Sequence, residues 1–258
     1  MDVPWERLAI TDWLLPALFM PRYWQRWIDQ SDYPDSELLQ DFYSDGHHSL
    51  IGICCKDKSS LEICTALGFR GCVSAGEFAG RGIVIREERK PDFPLEFTNI
   101  PVTDITSLRR IKFLYGKSAR DLLRVIAWES NSDSPTPIII FIENLPAFCQ
   151  DVMTGNFMDY SKQASMAMIL SHLAEAVQFS SRNGNHTLRI MFSMSEDPEY
   201  EQDFDRFKVH KWRLSDGVSG AVLSSDCWKD EEFLISRING SSSQKLCISS
   251  RRKNLSTF

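Results

Sequence analysis

Short apolar runs recur along the chain from residue 47 onward, and segments with a helical pattern separate them. The run from Pro137 to Ile142 is apolar at every position. A strand without a polar face is buried on both sides, as in a parallel sheet that is flanked by helices. Three other runs predict further buried strands, at residues 49–54, 82–85 and 188–193.

Three segments place apolar residues at helical spacing. Residues 58–67 predict one helix, and Gly68 stands where a helix stop is expected. Ser118 and Asp121 have the form of a capping box that opens a second helix. The third predicted helix contains the apolar stripe from Met166 to Val177 and ends at residues 183–185.

The pattern changes after about residue 210 to short strands and turns. The predicted strands cover residues 210–214, 220–223, 233–238 and 246–250, and Asn239-Gly240 is typical of a hairpin turn. Alternating strands and helices followed by hairpins predict an α/β fold, in which a parallel sheet flanked by helices ends in antiparallel C-terminal strands.

Residues 1–46 differ from the rest because they hold four of the seven tryptophans. The candidate partner-binding residues here are Trp13, Leu14, Phe19, Trp24 and Trp27. Two interpretations stand side by side: the segment packs back on its own domain, or it is an arm that docks on a partner through aromatic anchors. The predicted organisation is therefore an aromatic N-terminal segment, 1–46, followed by a core, 47–258.

Composition narrows the function classes. No apolar run approaches the ~20 residues that a membrane span requires, and Met1–Pro4 has no basic flank of a signal peptide, so we expect a soluble intracellular chain without membrane contact. The seven cysteines are odd in number and form no Cys-x-x-Cys pair. We expect reduced thiols and no metal site. The net charge of −6 argues against a dedicated nucleic-acid binder.

Two motifs suggest a nucleotide site. The sequence from Gly52 to Ser59 follows the phosphate-loop pattern G-x-x-x-x-G-K-[ST] at Gly52, Lys58 and Ser59, but Asp57 replaces the second glycine. Glu143 ends the apolar run 138–142, where a nucleotidase has the aspartate that positions Mg²⁺ and water. Because both motifs are altered, we predict a degenerate site. ATP with Mg²⁺ is the cofactor that it would take, and no catalytic residue is assigned.

In this order, the two motifs resemble the core of the RecA-like recombinase family. Ile111–Tyr115 and Ser118–Leu122 are similar to the I-[KR]-F-x-Y and S-x-R-[ED]-L stretches of one divergent branch. That branch is the ATPase-like paralogue that partners a SWIM-domain zinc protein in Shu-type complexes. The resemblance covers roughly residues 48–250 and excludes residues 1–46.

The resemblance implies a RecA-like P-loop core and a nuclear accessory subunit of homologous recombination. Its implied partners are a RecA-type recombinase and its paralogues, and a SWIM-domain zinc protein. Single-stranded DNA would be reached only through the complex. On this interpretation the chain is not an enzyme. The alternative is a DNA-stimulated ATPase with an atypical phosphate loop, and a small-metabolite kinase has no arginine-rich lid in the sequence to support it.

The two loops that face DNA in RecA-like folds correspond here to acidic segments, 151–159 and 195–205. Acidic residues repel phosphates, so direct DNA contact through these loops is disfavoured. The basic clusters Arg109, Arg110 and Lys112, and 251–253, are either solvated faces or an alternative DNA contact.

Overall fold

A computed structural model describes residues 50–77, 80–90, 95, 97–98, 105–130, 138–153, 161–183, 188–217, 220–225, 231–239 and 244–252. The strands are β1 (Leu50–Cys55), β2 (Arg81–Arg86), β3 (Ile111–Tyr115), β4 (Ile138–Ile142), β5 (Leu188–Ser195), β6 (His210–Gly217), β7 (Gly220–Ser225), β8 (Glu231–Asn239) and β9 (Gln244–Arg252). The helices are α1 (Lys58–Glu77), α2 (Ile105–Leu108), α3 (Ala119–Ser130), α4 (Leu145–Met153), α5 (Lys162–Asn183) and α6 (Pro198–Glu201).

The strands form one sheet in the order β3-β2-β4-β5-β1-β6-β7-β8-β9. All pairs from β3 to β6 are parallel, and the pairs β6–β7, β7–β8 and β8–β9 are antiparallel. The predicted fold class is therefore confirmed. β6 extends the parallel half, because it pairs with β1, and it also begins the antiparallel half.

The sheet separates two apolar layers. On one face, α1 packs on β1, β2, β4 and β5. On the other face, α3, α4, α5 and α6 cover the same strands. Every residue of β4 is buried, as an apolar run in the middle of a two-sided sheet requires.

The predicted helix stop at Gly68 is wrong. α1 continues through Gly68 to Glu77 and has 20 residues. A Cβ atom at Gly68 would lie 2.2 Å from the Phe141 ring, so the glycine allows α1 to approach β4 closely. Glycine often ends a helix, but Gly68 lies in the middle of α1, where its missing side chain makes room for the Phe141 ring.

The other two helix predictions are confirmed. The Ser118 Oγ accepts from the Asp121 amide at 3.0 Å and donates to the Asp121 carboxylate at 2.8 Å, which caps α3. α5 contains the stripe from Met166 to Val177 and ends at Asn183.

The elements that were not predicted include β3 and α4. β3 lies partly exposed at the edge of the sheet, and Lys112 interrupts its apolar residues. No described helix has the length and apolar character needed to cross a membrane.

Candidate nucleotide site at the carboxyl edge of the sheet

The carboxyl ends of the parallel strands meet at one edge of the sheet, where open α/β folds bind ligands. β1 ends at Cys55, β2 at Arg86 and β4 at Ile142, and α1 begins at Lys58. Ser59 and Glu143, two of the four predicted nucleotide residues, therefore flank this edge, and the described groups around each of them define the candidate site.

Gly52 does not reach this edge. It lies inside β1, which remains paired with β5 and β6 as far as Cys55. A Cβ atom at Gly52 would lie 2.8 Å from a Phe192 ring atom and 3.1 Å from Phe204, so this glycine makes room for aromatic packing. Only Lys56 and Asp57 separate the strand from α1. In a phosphate loop, by contrast, backbone amides curve around the phosphates along the whole glycine-to-lysine segment.

Asp57 caps α1 from its N-terminal side. The Ser60 amide donates to the Asp57 Oδ1 at 2.7 Å. This hydrogen bond is the main cause of the lowered pKa of the Asp57 carboxyl. A carboxylate of the chain itself thus uses a free amide of the helix N-terminus, the group that would otherwise bind a ligand anion. Lys58 is the first residue of the helix, and its side chain lies outside the described residues.

Ser59 is bound to an arginine from the distant β8 strand. The Arg237 Nη2 donates to the Ser59 Oγ at 2.8 Å, to the Ser59 carbonyl at 3.3 Å and to the Glu62 carboxylate at 3.1 Å. The Arg237 Nη1 donates to Gln244 on β9 at 3.1 Å. A guanidinium therefore lies against the hydroxyl that a phosphate loop uses to hold Mg²⁺.

Glu143 is buried between two cations. Its Oε2 lies 2.8 Å from the Arg86 Nε, and its Oε1 lies 2.5 Å from the Lys90 Nζ. The Thr65 Oγ1 on α1 donates to the same Oε1 at 2.8 Å. Arg86 is itself only 4% exposed in its side chain and lies over the Phe113 ring, 5.4 Å from the centroid. The carboxylate is thus neutralised by the chain's own groups.

Backbone contacts hold this carboxylate in place. The Glu143 amide donates to the Ile85 carbonyl at 2.9 Å, and the Asn144 amide donates to the Ser193 hydroxyl at 3.0 Å. Asn144 has a positive φ of 56°, which asparagine tolerates better than most residues. Glu143 therefore leaves β4 in a fixed direction towards Arg86 and Lys90.

Some of these partners have a signal in the sequence. The charged exit of β2, residues 86–90, is visible there, and Arg86 directly follows an apolar run. Nothing in the sequence indicates that Arg237 reaches Ser59, because 178 positions separate them. Within the described ranges, no group of three His, Cys, Asp or Glu side chains is placed to hold a metal ion.

Three cysteines lie near the start of α1. Cys54 and Cys55 end β1, and the Sγ atoms of Cys55 and Cys64 are 2.9 Å apart, sharing a hydrogen bond. Both are buried and free, as is Cys54. Burial raises the pKa of Cys54 to about 12 and that of Cys64 well above its ordinary value. Thiols with raised pKa values are poor nucleophiles, so these side chains contribute to packing.

The second acidic segment, 195–205, is folded onto the domain. Asp197 caps α6 and lies 3.4 Å from Lys162 on α5. Glu201 forms an ion pair with Lys211 on β6. Phe204 is buried edge-on against Phe192, with ring centroids 5.8 Å apart. Of the first segment, residues 151–153 end α4 and the rest lies outside the described residues.

The aromatic segment 1–46 also lies outside the described residues, together with the candidate partner-binding residues Trp13, Leu14, Phe19, Trp24 and Trp27. The assignment of these side chains to partner contacts stays a prediction.

Comparisons with known proteins give a distant relationship. No family model matches the chain. The chain is 24% identical over 162 residues to the "ATPase SWSAP1" of Mus musculus, a match that covers 62% of this chain and 52% of the relative. The chain thus matches about half the length of this relative.

Two solved structures show a weak similarity to the chain. One of them, an ATPase domain, gives a TM-score of 0.45 at 10% identity and covers 84% of this chain and 95% of that one. The KaiC-like protein PH0186 of Pyrococcus horikoshii gives 0.44 at 9% identity, with 77% and 89% covered. The sequence similarity supports what the motifs predicted: the chain resembles the RecA-like recombinase paralogues.

Proposed function

We propose that this protein is an accessory subunit of homologous recombination that acts by binding other proteins and does not turn over ATP. It binds a RecA-type recombinase or its paralogues, together with a SWIM-domain zinc protein, and promotes or remodels the recombinase filament on single-stranded DNA in the nucleus. The sequence similarity supports the recombination context. The observation that supports the non-catalytic role is that the chain's own groups bind Ser59 and Glu143, and that Asp57 caps the start of α1.

The first of these contacts lies at the start of α1. Asp57 places a carboxylate on the helix N-terminus, and a phosphate there would meet a like charge. Asp57 is exposed, so two like charges about 4 Å apart here repel by about 1 kcal/mol, which disfavours a phosphate at this position. The short connection of Lys56 and Asp57 also leaves few backbone amides to replace the lost attraction.

Glu143 is likewise bound by groups of the chain itself. To hold Mg²⁺ or a water, this carboxylate would have to leave Arg86, whose guanidinium would then be buried without its partner. Breaking a buried ion pair is strongly unfavourable. The contacts of Glu143 therefore support a structural role at the position where an ATPase needs a free acid.

Co-isolation tests the proposal. The tagged full-length chain is isolated from its own cells at moderate salt with nuclease present, and the bound proteins are identified. We expect a RecA-type recombinase, a paralogue or a SWIM-domain protein in near-equal amount. A chain that is isolated alone and monomeric would overturn the proposal.

The same experiment asks where the partner binds. Deleting residues 1–30 removes Trp13, Phe19, Trp24 and Trp27, and we expect the partner to be lost. The matched control is Phe179→Ala, which removes an exposed aromatic side chain from α5. If both variants retain the partner, the contact lies outside the aromatic segment.

The alternative function is a DNA-stimulated ATPase. The name of the mouse relative, an ATPase, and the match at Gly52, Lys58 and Ser59 favour it. Release of phosphate from labelled ATP, measured with and without single-stranded DNA, separates the two functions. We expect no hydrolysis above a Lys58→Ala variant. Hydrolysis that the Lys58→Ala variant abolishes would establish the ATPase instead.

A further inference from the structure

The edge strand β3 and the helix α3 that follows it carry a basic surface on an acidic protein. Between residues 109 and 130 there are six basic and two acidic residues, whereas the whole chain has a net charge of −6. All six basic side chains are exposed. They are Arg109, Arg110, Lys112, Lys117, Arg120 and Arg124, and we call them the β3–α3 basic face.

These six cations have no protein partner within the described ranges. No ion pair joins any of them to a described carboxylate. The two acids of the segment are otherwise engaged, since Asp121 accepts from the Ser118 hydroxyl and Glu129 is buried 3.2 Å from Arg81. Several cations elsewhere, among them Arg86, Lys162 and Arg237, are instead paired with carboxylates.

An exposed aromatic ring continues this surface along α3. Arg120, Arg124 and Trp128 follow one another at four-residue spacing, so they share one face of the helix with a rise of about 6 Å per step. Trp128 is 77% exposed, the highest value among the large apolar side chains of the described residues. Leaving an indole in water is unfavourable, and its position beside two arginines suggests a ligand that is both anionic and flat.

We propose that the β3–α3 basic face binds single-stranded DNA directly. Arg120 and Arg124 contact successive phosphates, the cations in and beside β3 attract the rest of the backbone, and an unstacked base packs on the Trp128 indole. Positive charge that tracks the backbone, combined with an aromatic platform for bases, is how proteins bind single strands without sequence preference. An acidic protein segment would match the charges but would leave Trp128 without a flat partner.

This inference deepens the proposed function, on which it rests for the choice of single-stranded DNA among polyanions. It also replaces a route that the structure disfavours. The acidic segment 195–205 is folded back through Tyr200 and Phe204 and turns no cationic surface outward. The DNA contact therefore lies on a different element from the loop that the family resemblance indicated.

Fluorescence anisotropy of the full-length chain with a labelled oligothymidylate tests the site over a series of salt concentrations. The Arg120→Gln/Arg124→Gln variant should weaken binding on the order of tenfold at low salt. It should also reduce the slope of log affinity against log salt by about 1.4, because each phosphate contact on a single strand contributes about 0.7. Trp128→Ala should weaken binding by about tenfold, yet leave binding to an abasic strand unchanged.

The matched control is Lys208→Asn/Arg213→Gln. It also removes two positive charges, but from exposed positions outside the basic face. Asparagine suits the positive φ of 53° at position 208. We expect it to retain wild-type affinity and slope. Equal weakening in the control, or no binding by the wild-type chain, would overturn the proposal. Polyglutamate that competes as well as the oligonucleotide, with Trp128→Ala unaffected, would reassign the surface to an acidic protein.

Co-isolation of the Arg120→Gln/Arg124→Gln variant keeps this inference separate from the proposed function. If the recombination partners stay bound while DNA binding is lost, both hold. If the partners stay bound and the wild-type chain fails to bind the oligonucleotide, the DNA site is wrong and the accessory role stands.

Discussion

Two charged regions of this molecule have opposite organisation. At the carboxyl edge of the sheet, Glu143 is buried and bound to Arg86, Lys90 and Thr65. On the β3–α3 basic face, six cations are exposed and none is paired with a described carboxylate. At the edge where open α/β folds bind ligands, the Glu143 carboxylate is paired within the chain, and we call this edge closed. The cations of the β3–α3 basic face have no such partner among the described carboxylates.

The difference teaches where a ligand can gain binding energy. A buried ion pair has already exchanged its hydration for its partner, so a ligand must break the pair before it can bind. An exposed cation holds only counterions, and a polyanion gains free energy by releasing them. The family motif indicates the first region as the functional site, whereas the chemistry of the side chains favours the second.

The largest expected effect comes from removing the acid at the closed edge. Glu143→Ala leaves the Arg86 guanidinium buried without a carboxylate, and we expect the free energy of unfolding to fall by about 3–5 kcal/mol. Urea unfolding at neutral pH measures this change. An effect below about 1 kcal/mol would show that water reaches Arg86 and that the edge is open.

Two variants sharpen that measurement. Arg86→Met/Glu143→Leu replaces the pair by apolar groups of similar size, and we expect most of the lost stability to return. Glu62→Ala removes an acid whose side chain is 60% exposed and pairs with Arg237. For this surface pair we expect a loss of at most about 0.5 kcal/mol.

The next largest effect comes from the packing that brings α1 to this edge. Gly68 faces the Phe141 ring on β4, and Thr65, one turn earlier on α1, donates to Glu143. Gly68→Ala places a Cβ atom 2.2 Å from that ring, and we expect a loss of about 1–3 kcal/mol despite the higher helix propensity of alanine. Urea unfolding measures this loss as well.

A double-mutant cycle identifies the cause of that loss. Phe141→Leu removes part of the ring, so the Gly68→Ala/Phe141→Leu variant should be more stable than the sum of the two single changes predicts. Strictly additive effects would mean that the close approach of α1 to β4 does not limit stability.

The same positions explain how far the sequence could predict this fold. β4 and α5 could be predicted because their burial is visible in the sequence. β4 is apolar at every position, and α5 has apolar residues at helical spacing. Gly68 was misinterpreted because a stop and a close contact require the same residue, and only the ring of Phe141 distinguishes them. β3 was missed because Lys112 interrupts its apolar residues, and a strand at the edge of the sheet does not need the continuous apolar run that predicted β4.

The candidate site divides in the same way. Glu143 was predicted because it is adjacent to β4 in the sequence. Its partners Arg86, Lys90 and Thr65 come from other elements, and the sheet order that assembles them is a property of the whole fold. Gly52 matched a loop motif, but hydrogen bonding to both neighbouring strands keeps β1 extended beyond it.

A smaller effect is expected at the start of α1. Asp57→Ala removes the cap of Ser60, and we expect a loss of about 1 kcal/mol near neutral pH, whereas Asp57→Asn retains most of the hydrogen bond. Folding lowers the pKa of Asp57, so its charged form stabilises the fold above its ordinary value of 3.8. This contribution disappears as the pH falls through the lowered pKa. Thermal unfolding of the wild-type chain and of both variants between neutral and strongly acidic pH measures it, and a stability difference between wild type and Asp57→Ala that widens in acid would contradict the cap.

The smallest expected effect on stability comes from Arg237, which also tests whether side chains keep the carboxyl edge closed. Arg237→Gln frees the Ser59 hydroxyl, and because the guanidinium is 30% exposed we expect a loss of at most about 0.5 kcal/mol in urea unfolding. Combined with Asp57→Gly, it restores the glycine of the phosphate-loop motif and removes both groups that cover the helix start. We still expect no binding of ATP with Mg²⁺ by calorimetry, because β1 remains hydrogen-bonded up to Cys55 and leaves no loop to surround a phosphate. Tight ATP binding by this double variant would mean that two side chains, and not the path of the backbone, keep the edge closed.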